Sequence, residues 1–242
     1  FFSTVGNKIA NSVPLSQTDP LSYINHPPPP TMKFQKIDPS QINEIVKQFE
    51  NKNSPDLDGI SISIIKKVSP FICIPLAHIF NLSISQGIFP DHLKTTRTVP
   101  VFKAGDPLSL DNYRPISLVK TLSKILEKIA SINLVNHLEL NKLINQNQFG
   151  FQRGKSTEHN LLHVVNFIGS ALNDGKYCLG VFLDLRKAFD VCSHDILLRK
   201  LKKYGISEAE HAWFTSYLTN RNQVVDINGT HSSPKNIDIS VI

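Results

Sequence analysis

Tyr177-Cys178-Leu179-Gly180-Val181-Phe182-Leu183-Asp184-Leu185-Arg186-Lys187-Ala188-Phe189-Asp190 decides how this chain is read. Its first seven residues are apolar or small, and Asn173-Asp174-Gly175 stands before them as a turn. A short apolar run bounded by turn residues predicts a strand buried on both faces, of the kind found in sheets covered by helices. The run delivers Asp184 at its exit. A carboxylate held there can present two hard oxygens to a divalent cation, or it can cap the turn that follows the strand.

Working outward, the spacing of apolar residues supplies the helices. Upstream, Leu161, Leu162, Val164, Val165, Ile168 and Leu172 form one stripe, and Leu122, Ile125, Leu126, Ile129, Ile132, Val135 and Leu138 another along 121–140. Thr95 to Lys103 leans to strand, and Ala104-Gly105-Asp106-Pro107 provides a turn. Two further helical stretches, 60–68 and 71–86, are punctuated by Pro70, Pro75 and Gly87. Before the polar turn from Asn51 to Gly59, Asp38-Pro39 opens a helix that presents Ile42, Ile45, Val46 and Phe49 on one face. Residues 1–36, ending in Pro27-Pro28-Pro29-Pro30, read as a leader or linker. Downstream, Ser193 starts a helix, Ser207 with Glu210 predicts a capping box for the next, and Gln223 to Ile227 is a strand entering an Asn228-Gly229 turn. The expected class is α/β (α+β).

Composition narrows the function classes. The chain has 242 residues, 40% hydrophobic and 19% charged, which is enough for a sizeable core. A net charge of +6 favours a polyanionic partner. Cys73, Cys178 and Cys192 are odd in number and form no CxxC pair, so neither a disulfide framework nor a zinc site is indicated, and a reducing compartment is expected. Lys66, Lys67, His78 and Lys94 interrupt the most apolar stretch, so no transmembrane segment is expected; nor does Phe1–Ala10 read as a signal peptide. The start, without an initiator Met, suggests a fragment. Asp56-Leu57-Asp58-Gly59 fails as a calcium loop because its twelfth position is Lys67, and it reads as a turn.

The segment Phe182 to Asp190 closely resembles the first catalytic motif of reverse transcriptases from non-LTR, jockey-like retrotransposons. Asn112-Tyr113-Arg114-Pro115-Ile116-Ser117-Leu118 looks like a fingers motif of the same enzymes, and Gln148-Phe149-Gly150-Phe151-Gln152-Arg153-Gly154-Lys155-Ser156-Thr157 is similar to their next block. Asn53 to Ile60 corresponds to an earlier turn, and Trp213-Phe214 through Tyr217-Leu218 to Arg221 and Val224-Val225 also matches, so the resemblance spans roughly 38–230.

What the resemblance implies is a right-hand polymerase fold with helical fingers, an incomplete palm sheet and no thumb. The organisation would be a leader over 1–36, fingers and the start of the palm over 37–175, and palm over 176–242. The activity would be RNA-directed DNA polymerisation, adding deoxynucleoside triphosphates to a DNA primer on an RNA template, with Mg2+ (or Mn2+) expected only together with further palm residues. Asp184 would be the catalytic metal ligand, helped by the carbonyl of Leu185. Phe189 would lie beneath the sugar of the incoming nucleotide and exclude a 2′-hydroxyl; otherwise it is a core aromatic. Lys103 and Arg114 would meet the triphosphate, the alternative being surface ion pairs. Arg153 and Lys155 flank Gly154 before a helix start and would meet a template or primer phosphate, unless they form a solvated basic turn. The location would be intracellular, in nucleus or cytoplasm.

Two departures stand out. No Ala-Asp-Asp block and no Asp-Asp pair occurs in the 242 residues, and Asp56-Leu57 stands where the family has Gly-Pro. The chain is therefore expected to be a polymerase piece without activity by itself or, alternatively, a truncated remnant that at most binds nucleic acid.

Overall fold

The computed structural model describes residues 1–14, 16–185 and 187–239. Among them are seven α-helices: α1 (Val5–Ser12), α2 (Pro39–Gln48), α3 (Ile62–Gln86), α4 (Thr121–Leu140), α5 (Thr157–Asn173), α6 (His194–Lys203) and α7 (Glu208–Leu218). Five strands accompany them: β1 (Thr95–Phe102), β2 (Tyr113–Leu118), β3 (Arg221–Ile227), β4 (Thr230–His231) and β5 (Lys235–Ile237). The expected α/β class is borne out. The chain divides into two compact units, one of residues 138–186 and one of residues 1–137 with the residues from 187 on.

In the larger unit, β2 and β1 form an antiparallel hairpin, β1 runs parallel to β3, and β3 carries β4 and β5 antiparallel. Asn228 and Gly229 both adopt left-handed backbone, as an Asn-Gly hairpin turn demands. β2 contains Pro115, which cannot donate to a ladder and is tolerated because β2 lies at the sheet edge.

The helices bury their stripes together. Asp38 accepts from the Ser40 N–H at 2.8 Å and Pro39 fills the first turn, so α2 starts as expected and buries Ile42, Ile45 and Val46. Trp213 of α7 is 1% exposed and packs against Phe34, Phe89, Phe214 and Tyr217, while its indole N–H donates to Ser83 Oγ at 3.0 Å. Ile125, Leu126 and Ile129 of α4 and Met32 join the same core.

Several sequence expectations are corrected. The stretches 60–68 and 71–86 form one helix, α3, with Pro70 and Pro75 inside it. Both prolines lie on its exposed side, where carbonyls deprived of a partner can meet water. Its Lys66, Lys67 and His78 do not break the apolar character: α3 is long and apolar enough to cross a membrane by length and composition, although Ile65, Cys73, Leu76, Ala77 and Phe80 are buried in the core. The predicted capping box at α7 is not formed: Ser207 makes no side-chain cap bond, and the Glu210 side chain turns instead to the Phe34 N–H at 3.2 Å and Lys33 at 3.4 Å.

The smaller unit holds α5, a series of turns before it and a stretch without regular secondary structure after it. Ser156 caps α5 in a reciprocal capping box with His159. The predicted buried strand at Tyr177–Leu183 is not formed. Residues 176–185 have no regular secondary structure, no backbone of the described residues pairs with them in a sheet, and Tyr177, Phe182 and Leu183 are 101%, 96% and 89% exposed. A strand buried on both faces needs neighbours on each side and cover above and below, and the local sequence cannot supply these.

Candidate nucleotide and metal site

Asp184 and Leu185 lie in the smaller unit, at the end of the irregular stretch after α5, and both are exposed. Asp184 makes no ion pair among the described residues. Arg186 falls outside them. Arg153 is exposed and likewise unpaired among the described residues, whereas the Lys155 ammonium donates to the carbonyls of Gln146 and Gln148 at 2.8 and 2.9 Å and stands 5.1 Å from the centre of the Phe149 ring. Lys155 thus closes the loop before α5 and keeps one of its three donors for anything else. Gly154 takes a left-handed φ of 75°, which lets the chain reverse between the two cations.

The remaining candidates lie in the larger unit. The Lys103 N–H donates to the Asn112 carbonyl at 2.8 Å, which extends the β1–β2 ladder by one step. Arg114 stands opposite Val101 in that ladder. Side chains alternate along a strand and directly opposed residues share a face, so Lys103 and Arg114 leave the hairpin on the same side. Both are exposed, and neither forms an ion pair among the described residues, which leaves two cations side by side at the hairpin end.

Pro115 and Ser117 point to the opposite side of β2. There they line a cavity of about 110 Å³ together with Phe189, Asp190, Gln223 and the N-terminal residues Phe2, Ser3 and Gly6. Phe189 is 59% exposed, more than a core aromatic would be. Its turn is closed by the Asp190 N–H donating to the Lys187 carbonyl at 2.9 Å, with Lys187 at a φ of 50°. Burial pushes the Asp190 carboxyl above the ordinary range, against the pull of Lys187. Lys187 itself pairs with Asp111 at 3.3 Å. Ser117 and Gln223 were not singled out by sequence, because a polar residue on a strand carries no local sign of which cavity it lines.

Cation binding can be judged from the donor set. No group of three His, Cys, Asp or Glu side chains comes together among the described residues. One exposed carboxylate does not hold magnesium, which keeps its waters and needs further anionic ligands or substrate phosphates. Asp184 and the Leu185 carbonyl fit one corner of a cation site and not the whole of it.

A family profile described as Reverse transcriptase (RNA-dependent DNA polymerase) matches residues 101–237. The chain belongs to the reverse transcriptase family. It is 30% identical over 212 residues, 85% of its length, to a protein named "Probable RNA-directed DNA polymerase from transposon BS" of Drosophila melanogaster. It is also 30% identical over 220 residues, 90% of its length, to "RNA-directed DNA polymerase from mobile element jockey" of the same organism, and 32% over 202 residues, 83% of its length, to the jockey polymerase of Drosophila funebris. The reverse transcriptase chain spans 23%, 24% and 22% of these three relatives. The resemblance to non-LTR, jockey-like enzymes read from the motifs is borne out. Enzymes of this family use divalent metals and act on nucleic acid templates, primers and nucleotides.

The Asp56-Leu57 departure from the family turn has a structural role in this reverse transcriptase. One Asp56 carboxylate oxygen accepts the N–H groups of Asp58 and Ile60, both at 2.9 Å, and the other accepts that of Thr121 at 2.7 Å. Asp58, which matches the family turn, pairs with Lys120 at 2.8 Å and His92 at 3.3 Å.

Proposed function

We propose that the chain is the fingers and early palm of an RNA-directed DNA polymerase that adds deoxynucleotides to a DNA primer on an RNA template. The observation that carries this reading is that the family match over 101–237 takes in every candidate site residue, from Lys103 to Phe189. In the longer protein, Asp184 and the Leu185 carbonyl would contribute to holding a divalent cation, which when bound lowers the pKa of the primer hydroxyl and neutralises charge on the transferring phosphate. Lys103 and Arg114 orient the triphosphate as a point charge and a planar fork. Phe189 blocks a 2′-hydroxyl by bulk. Arg153, with Lys155 shaping its loop, meets a template or primer phosphate. Residues 37–175 serve as fingers and the start of the palm, and residues 176–242 as palm, behind a leader over 1–36. Such substrates place the protein inside the cell, in nucleus or cytoplasm, and the three free cysteines agree with a reducing compartment.

The 242-residue chain alone is expected to perform no primer extension, because the donor set among the described residues does not complete a cation site. It binds RNA–DNA hybrid through its cations, with an affinity that falls as salt rises. The gate reading is tested in a chain of the relatives' length: Phe189→Ala is expected to admit ribonucleotides while deoxynucleotide incorporation persists. Unchanged discrimination against ribonucleotides would refute it.

A further inference from the structure

We infer that the groove in the loop before α5 takes one unpaired base of single-stranded RNA, whose edge is read by amide side chains. This rests on the reading of the chain as a polymerase that copies RNA. Six of the twelve residues from 141 to 152 are Asn or Gln, a density that phosphate contacts do not require. Within the smaller unit they border a groove of about 350 Å³, the space of about a dozen waters at some 30 Å³ each and within the range of small-ligand sites. Leu138 and Ile144 give it apolar surface for the face of a ring. Asn145, Gln146 and Gln152 line the same groove.

The loop is braced without using up those amides. Lys155 donates to the carbonyls of Gln146 and Gln148, Gln152 Nε2 donates to the Gln148 carbonyl at 2.9 Å, and the Asn147 N–H donates to Asn145 Oδ1 at 2.9 Å. The Gln152 side-chain oxygen, the Asn145 amino group and the whole Gln146 amide are left without a partner among the described residues. An amide accepts through one atom and donates through its neighbour, and each base offers a matching donor and acceptor on its Watson–Crick edge. In a duplex that edge is already occupied, so the groove selects an unpaired base. Lys142 and Glu139 also line it, and neither forms an ion pair among the described residues. The ammonium suits a flanking phosphate, and the carboxylate suits the exocyclic amino group of adenine or cytosine. A loop already held in shape loses little freedom when it binds.

The test measures binding of the whole 242-residue chain to fluorescent single-stranded oligoadenylate RNA and to an abasic strand of the same length, at several salt concentrations. Gln146 is exposed and its amide bonds nothing among the described residues, so Gln146→Leu is expected to keep the unfolding midpoint. It is expected to bind oligoadenylate about tenfold more weakly at an unchanged salt slope, and the abasic strand as the unaltered chain does. Lys142→Ala is expected to weaken both strands alike and to lower the slope by about one. Equal affinity of the unaltered chain and Gln146→Leu for oligoadenylate would overturn the base site, and so would an equal loss on the abasic strand. Binding of RNA–DNA hybrid with none of single-stranded RNA would overturn it while leaving the polymerase reading standing. Binding of neither would remove both.

Discussion

The Asp56 carboxylate accepts the backbone N–H of Thr121 at 2.7 Å, which ties the turn after α2 to the first residue of α4 across 65 positions of sequence. It acts as a helix cap supplied from a distance, and the same carboxylate orders its own turn through Asp58 and Ile60. Asp56→Ala is therefore expected to destabilise the chain by about 2 kcal/mol, read as a lower denaturant midpoint at constant slope.

The same group sets an acid limb. Burial alone would raise the Asp56 pKa, but hydrogen bonds from Thr121, Ile60 and Asp58 outweigh it and leave the pKa below the ordinary carboxylate value. A depressed folded pKa means that the stabilisation is fully present above the unfolded value of about 3.9 and is lost as pH falls through the folded pKa. Denaturation midpoints of Asp56→Asn measured from pH 6 to pH 3 should fall less than those of the unaltered chain. Parallel curves would remove Asp56 from the acid response.

Glu210 and Ser207 separate two accounts of the start of α7. Glu210 accepts from the Phe34 N–H and pairs with Lys33, whereas Ser207 makes no cap bond. Glu210→Ala should cost roughly 1–2 kcal/mol by leaving the Phe34 N–H without its partner, while Ser207→Ala stays within about 0.5 kcal/mol. The reverse order in equilibrium unfolding would restore the capping box.

Arg221 is wholly buried, its guanidinium 4.7 Å from the Tyr217 ring centre and 5.8 Å from that of Phe89. Nη1 donates to the Tyr217 carbonyl at 3.1 Å, while Nε and Nη2 have no acceptor among the described residues. Burial lowers the Arg221 pKa and raises that of the Tyr217 phenol. Arg221→Lys keeps a buried charge and loses the planar stack, so it should destabilise by about 2 kcal/mol and by more than Arg221→Met, which removes the desolvated charge. Thermal or chemical unfolding of the two variants decides the order.

These positions also show what the sequence made legible. α2 and the β3–β4 hairpin were readable because Asp38-Pro39 and Asn228-Gly229 act on their own neighbours. Pro115 hides β2, because its tolerance depends on lying at an edge, and Pro70 and Pro75 divide α3 into two predicted stretches because they weigh against a helix until their exposed side is known. The run at Tyr177–Leu183 misleads for the opposite reason: its apolarity is local, but pairing and cover come from elsewhere in the chain. Of the site, the identities of Lys103, Arg114, Asp184 and Phe189 were legible. The shared face of the first two, the diversion of Lys155 into its own loop and the cavity beside Phe189 required coordinates.

The central claim is that Asp184 holds catalytic metal, and RNA-templated primer extension by a protein of the relatives' length tests it most directly. Because Asp184 is exposed and makes no ion pair among the described residues, Asp184→Ala should leave the unfolding midpoint unchanged while extension falls by roughly a thousandfold or more, the scale of losing about 4 kcal/mol of transition-state stabilisation. Extension at the unaltered rate by a folded Asp184→Ala protein would contradict the account.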